Sequence, residues 1–324
     1  MPESGERTFT DVEDYAKALE AARVELVVTS PGSFRARLTR LSLPHLRLLA
    51  LSESLSRIAY FALPADRVFV TFPSRPTLIC GGVTLQRGDI VFHSRGERLH
   101  QRLTGPANWG LLSLEPEHLA AAGRALTGLA VVAPPSGRLL RPARPAIRRL
   151  LRLCAAAAHF AGQRPTLVLD PEVARSMQHD LIESLVACLA PENEREDLAL
   201  RRPQTQVMAR LEHLLAAGPA RVMCIRELCA AVDVSERTLR SYCTEYLGIS
   251  PSRYMRLRRL KLAHVALRAH DPAPASVADV ARNYGFFGFG RFAAAYQAAF
   301  GEKPSVTLRR AHEGQGTARF SESA

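Results

Sequence analysis

Arg237 and Arg240 stand three residues apart in the stretch VSERTLRSYCTEY, and Leu239 marks the apolar stripe of a helix predicted over 235–246. Ser235, Glu236, Arg237, Thr238, Arg240, Ser241 and Thr244 lie off that stripe. A guanidinium offers two parallel N–H donors, which fit the edge of a guanine or the oxygens of a phosphate. Ser235 also suits the helix N-cap, with Glu236 in the first turn, where a negative charge is favoured. A second cluster opens the helix predicted over 288–300: Gly288, Phe289, Gly290 and Arg291. Arg291 is its one charged side chain and can meet phosphate or guanine. Phe289 can touch a thymine methyl or pack inside. The two glycines permit close approach of a backbone.

These side chains need elements to aim them. Helices are predicted over 207–217 and 225–231, then a turn at Asp233 and Val234, then 235–246. Gly248 ends that helix, and Ser250 with Pro251 starts a long one over 251–269. Ser276 caps a helix over 277–284, Gly285 ends it, and Gly301 ends the helix over 288–300. The pattern is two helix-turn-helix units in series. In each, a short turn sets the angle of a second helix that can enter a major groove. The 251–269 helix spans roughly 28 Å at ~1.5 Å per residue. That approaches the roughly 34 Å between major-groove entries one turn apart. It carries Arg253, Arg256, Arg258, Arg259, Lys261 and Arg268. Arg253 and Arg256 are candidates for phosphate contact, although Arg256 and Arg259 can alternatively pair with acidic groups of the flanking units.

The charge agrees. The 324-residue chain has a net charge of +12. Residues 1–200 hold 24 basic and 21 acidic groups, whereas 201–324 hold 19 and 10, so the excess sits in the last third, as a polyanionic partner requires. The six cysteines form no CxxC pair and mostly fall in apolar helical patterns, which reads as core thiols in a reducing cytoplasm. No signal peptide is visible and no run approaches 18 apolar residues, so a cytoplasmic protein without a membrane partner is expected.

The first part of the chain differs. After a short helix over 11–22, strands are predicted over 24–29, 34–43, 45–51, 57–63, 67–72, 77–80, 83–85, 89–93 and 110–114. That density predicts a small antiparallel barrel or double-sheet roll. Phe34, Leu38, Tyr60, Phe72 and Trp109 either line a ligand cavity in it or form a closed core. Helices follow over 119–126, 146–160 and 171–190, to pack on the roll or on a second copy of the chain. The expected class is α+β, with a β domain over 1–118, a helical connector over 119–198, an all-α domain over 199–310 and a disordered polar tail over 311–324.

Residues 206–310 resemble the DNA-binding domain of the AraC/XylS family of bacterial transcription regulators. Two stretches carry the resemblance, 234–267 and 276–305. In the second, Gly285, Phe286, Phe292, Tyr296, Phe300, Gly301 and Pro304 fall on the family signature. The resemblance implies seven helices, two recognition helices and a long linking helix. It also implies sequence-specific binding to promoter DNA, usually with activation through RNA polymerase. For the first 190 residues it suggests a cupin-like sensor roll, which in the family often binds a small-molecule effector and helps form a homodimer. The chain departs from the pattern at Ser241 and Cys243, where the family commonly shows an arginine and a large aromatic.

Other chemistry is weakly supported. His93, Glu97 and His100 are the close histidine cluster of the roll, but they lack the dense His-x-His pattern of a cupin metal site. Cys80 beside Gly81 and Gly82 has no neighbouring base to activate it. No metal, cofactor or catalytic residue is expected. A DNA-binding protein that reads shape with little sequence preference is the main alternative, ahead of a cupin-type metal enzyme fused to a DNA-binding domain.

Overall fold

The structure, a computed structural model, describes residues 4–19, 22–74, 77–190, 197–199, 203–218, 222–269 and 276–310. Its class is α+β. The first half runs β1 (Gly5–Phe9), α1 (Val12–Ala18), β2 (Arg23–Val28), β3 (Ala36–Ser42), β4 (Leu46–Glu53), β5 (Arg57–Ala62), β6 (Val68–Pro73) and β7 (Leu78–Cys80). It continues with β8 (Val83–Thr84), β9 (Ile90–Phe92), β10 (Arg98–Leu103), β11 (Ala107–Leu114), α2 (Pro116–Thr127), β12 (Arg138–Leu140), α3 (Arg144–Gln163), α4 (Pro171–Leu189) and β13 (Asp197–Ala199). The strands form two antiparallel sheets, ordered β1-β3-β4-β11-β6-β9-β12-β13 and β2-β5-β10-β7-β8.

The larger sheet is apolar on both faces, because both are covered. Leu49, Leu51, Trp109 and Leu111 point into the roll. Leu48, Phe72, Leu112 and Leu114 point out, against α2, α3 and α4. Ile147, Leu150, Cys154, Ala157 and Ala161 form the helical stripe of α3 that packs there. These helices therefore pack on the roll of their own chain. The roll interior is a closed core at Phe34, Leu38 and Trp109, whereas Phe72 lies outside it and Tyr60 beside His100.

A buried ion pair crosses that interior. Arg57 donates to both carboxylate oxygens of Glu53 at 2.9 and 3.0 Å, and to the backbone and side chain of Gln101. Trp109 Nε1–H donates to Glu53 at 2.8 Å. Gly110 sits opposite Phe72 in the sheet register. A Cβ there would come 2.2 Å from the Phe72 ring, which is buried. Gly110→Ala is expected to cost about 1–3 kcal/mol by overpacking, read as a lowered urea midpoint.

Four strands lack a sequence signal. β1 presents Glu6, Arg7 and Thr8 to solvent, so it shows no apolar alternation. β10 carries His100, Gln101 and Arg102 in succession, and the first two are satisfied by distant partners, Glu212 and Arg57. β12 and β13 are three-residue strands that extend the large sheet, so the predicted helical connector also contributes strand. The predicted loop over 271–275 and the tail over 311–324 lie outside the described residues.

The second half is helical: α5 (Pro203–Ala217), α6 (Ile225–Val232), α7 (Glu236–Leu247), α8 (Pro251–Arg268), α9 (Val277–Asn283), α10 (Phe289–Phe300) and a last helical segment over 304–310. It has two small cores. One gathers Met208, Leu211, Leu228, Val232, Leu239, Cys243 and Tyr254, and takes in Val27 and Ile58 of the smaller sheet. The other gathers Leu260, Leu267, Val280, Phe292 and Tyr296. Among the described residues no helix is long and apolar enough to cross a membrane.

Candidate nucleic-acid interface

The first unit is α6, a turn and α7. Asp233 closes α6 in the left-handed region at φ 58°. Ser235 then caps α7, its Oγ accepting from Thr238 N–H at 3.1 Å. Leu239, Cys243, Tyr246 and Leu247 are buried, which fixes the rotation of α7. The opposite face carries Glu236, Arg237, Arg240, Ser241 and Thr244, all exposed around one open depression. Arg240 is held by Glu236 one turn earlier. Arg237 makes no ion pair among the described residues, and Thr244 donates to the Arg240 carbonyl at 2.9 Å. Burial pushes the Cys243 thiol up to about 12, so this departure from the family pattern is an inert core group.

The second unit is α9, a turn and α10. Ser276 and Asp279 form a reciprocal capping box. Gly285 turns the chain at φ 74°, where a side chain would also strike Val222 and Arg259. Phe292 and Tyr296 face inward. Phe289 is 55% exposed, so its core alternative does not hold. Phe287 is 87% exposed and was not singled out by the sequence. Its neighbour Phe286 packs on Phe292 and under Arg259, and only the turn geometry separates the two rings. Arg291 is exposed, and its guanidinium lies across Gly288, while Gly290 opens to empty space.

α8 joins the units, and its 18 residues span about 27 Å at ~1.5 Å per residue. Three of its six Lys and Arg side chains, and His264, face the roll. Arg253 donates to the Thr29 carbonyl at 3.3 Å. Lys261 sits 3.2 Å from Glu13 and 3.1 Å from Glu25. His264 and Arg268 reach Asp11, and Arg268 also reaches Asp14. Burial alone would raise the Asp11 carboxyl. The His264 and Asp14 hydrogen bonds and the Arg268 charge overcome it and hold that carboxyl well below the usual range. Arg256 is exposed. Arg259 donates to the Gly285 carbonyl at 3.4 Å, so it braces the second unit.

A buried junction was also missed by sequence reasoning. Glu212 of α5 accepts from His100 Nε2 at 2.9 Å and Tyr254 Oη at 2.7 Å, and pairs with Arg258. Burial works to raise its pKa. Hydrogen bonding from His100, the Arg258 charge and the Tyr254 hydroxyl prevail and bring it down to about 2. His93, by contrast, is satisfied inside its own domain by Thr71 and Glu97, each at 2.9 Å. His93 and His100 therefore do not form one site. Cys80 is buried and its thiol is pushed up to about 12 by that burial.

The arrangement presents two short helices, each led by exposed arginine and small polar or glycine positions, on one rigid connecting helix. Comparison with known proteins agrees. A family described as "Helix-turn-helix domain" matches residues 228–310. A probable thc operon regulatory protein of Rhodococcus erythropolis is 30% identical over 50% of this chain and 49% of its own length. XylDLEGF operon transcriptional activator 3 of Pseudomonas putida is 40% identical over 26% of each chain. The chain thus spans about half the length of the first relative and a quarter of the second. A solved structure, a probable AraC family transcriptional regulator from Rhodopseudomonas palustris, is 36% identical over 32% of this chain and 96% of that one, with a TM-score of 0.29.

Proposed function

Because its tandem helix-turn-helix domain makes this chain a member of the AraC/XylS family, we propose that it is a sequence-specific DNA-binding regulator that activates transcription. α7 and α10 enter successive major grooves. Arg237, Arg240 and Arg291 read or anchor them, with Ser235, Glu236, Thr238, Ser241, Thr244, Gly288, Phe289 and Gly290 completing the two surfaces. Arg256 holds phosphate, and Arg253 joins it when α8 is released from the roll. A homodimer reads two such sites and engages RNA polymerase. The reading assigns the chain no reaction. The observation that carries it is the pair of exposed arginine-bearing helices set on α8.

The roll acts as the control domain. It holds α8 through Asp11, Glu13, Asp14 and Glu25, and unit one through the Glu212 junction. A small-molecule effector that prefers the separated arrangement would free both. Support for an effector comes from a cleft of about 500 Å³ between α3 and the outer face of the large sheet. Arg37, Thr39, Ala50, Asn108, Ala158 and His159 are among its lining residues. Its size falls in the ~300–1,000 Å³ range of small-molecule sites.

The test is genome-wide occupancy followed by salt-controlled titration on the strongest site. Arg237→Ala and Arg291→Ala should each weaken one half of a two-part site by about 1–3 kcal/mol, roughly 5–150-fold. Arg256→Ala should weaken all sequences alike and reduce the salt slope by about 0.9. Equal loss on unrelated DNA from all three variants would replace this reading with that of a shape-reading architectural protein.

A further inference from the structure

The β3–β4 hairpin and the start of α2 bring two imidazoles and a carboxylate together on the outside of the roll. His118 Nδ1 lies 2.9 Å from Glu115 Oε2, and His45 Nδ1 lies 3.5 Å from the same oxygen. The two rings stack with centroids 3.5 Å apart and 19° between planes. One ligand atom from each residue falls within 4.8 Å of the others. Both Nδ1 atoms are buried, and neither makes a hydrogen bond. Two buried imidazole nitrogens without a hydrogen-bond partner thus stand beside one carboxylate oxygen, an arrangement a cation would satisfy.

The surroundings hold these groups in place. The His45 backbone N–H donates to Gln178 Oε1 of α4 at 2.8 Å. Arg67 donates to the His45 carbonyl at 3.4 Å and the Ser113 carbonyl at 2.9 Å, which ties the hairpin to the end of β11. Glu115 and His118 are fixed relative to each other by the first turn of α2. The side chains are nonetheless about two-fifths exposed, so the cluster lies at the protein surface.

We propose that His45, Glu115 and His118 form a binding site for a divalent transition-metal ion, with Zn²⁺ the best match. Two imidazoles and one carboxylate are a known zinc ligand set that leaves a coordination position open. Imidazole excludes Mg²⁺ and Ca²⁺, which take oxygen ligands, and favours Zn²⁺, Ni²⁺, Fe²⁺ or Cu²⁺. The bound ion would pin the hairpin to α2 and, through Gln178, to α4. The site is separate from the proposed DNA surface and stands whether or not that reading holds.

The test uses the untagged full-length chain, stripped with a chelator and titrated with Co²⁺ by absorption and with Zn²⁺ by calorimetry. One ion per chain is expected, with Co²⁺ d–d bands and no thiolate charge-transfer band, since no cysteine is in the set. His45→Gln, His118→Gln and Glu115→Gln should each weaken Zn²⁺ by at least the roughly 10–100-fold that loss of a supporting outer partner costs. Far-UV circular dichroism confirms that the variants are folded. The proposal is overturned if the unmodified chain gives no Co²⁺ spectrum, if a thiolate band appears, or if folded variants bind Zn²⁺ as the parent does.

Discussion

Glu212→Ala is expected to lower the unfolding free energy by about 3–5 kcal/mol, the range seen when one partner of a buried pair is removed. The carboxylate is almost fully buried and serves His100, Tyr254 and Arg258 at once. Truncation leaves the Arg258 charge facing a cavity and the Tyr254 hydroxyl without its acceptor. Glu212→Gln keeps an acceptor oxygen and should cost less. Urea unfolding separates the two. Equal, small losses for both would mean that the junction is solvated and does not hold the domains together.

The same group predicts a pH dependence. Its carboxyl lies at about 2 in the folded chain against an ordinary 4.5. A depressed pKa means that the folded state favours the charged form, so its contribution is full above about pH 4.5. It declines as pH falls and is gone below about pH 2. The acid limb of stability between those values should therefore be flatter in Glu212→Gln than in the parent. This matters for control, because the junction couples β10 of the roll to α5 and α8 of the first unit. Weakening it also weakens the hold of the roll on α7, the proposed recognition helix.

The exposed faces of α7 and α10 were legible because local chemistry decides them. Ser235, Leu239 and Gly248 mark the start, rotation and end of α7 within fourteen residues. The basic face of α8 was legible as charge but not as purpose. Arg253, Arg258, Lys261 and Arg268 meet partners on α5, on α1 and its N-cap, on β2 and at Thr29 just after it, and no periodicity encodes a contact between residues so far apart. The same holds for His100, whose carboxylate belongs to another domain. Phe286 and Phe287 are identical in type, so only the left-handed turn at Gly285 decides which packs inward. Glu115 and His118 are visible as a helical i, i+3 pair, whereas His45 joins them only through the hairpin.

Arg57→Met should destabilise the roll by about 3–5 kcal/mol, because Glu53 then keeps its charge with one donor, Trp109, in place of three interactions. Glu53 and Arg57 are both essentially without solvent contact, so water cannot compensate. The cost is that of an isolated charge, not of the pair itself. Adding Glu53→Gln should therefore recover at least half of the loss. The amide removes the charge and keeps an oxygen for the Trp109 N–H. A double variant as unstable as the single one would show that packing of the Arg57 stem, not charge, carries the effect. The outcome also bears on where the proposed effector would sit. A roll centre fixed by this pair and by closely packed Phe34, Leu38 and Trp109 resists opening around a ligand. The cleft outside the sheet, beside α3, can accept one without dismantling the core.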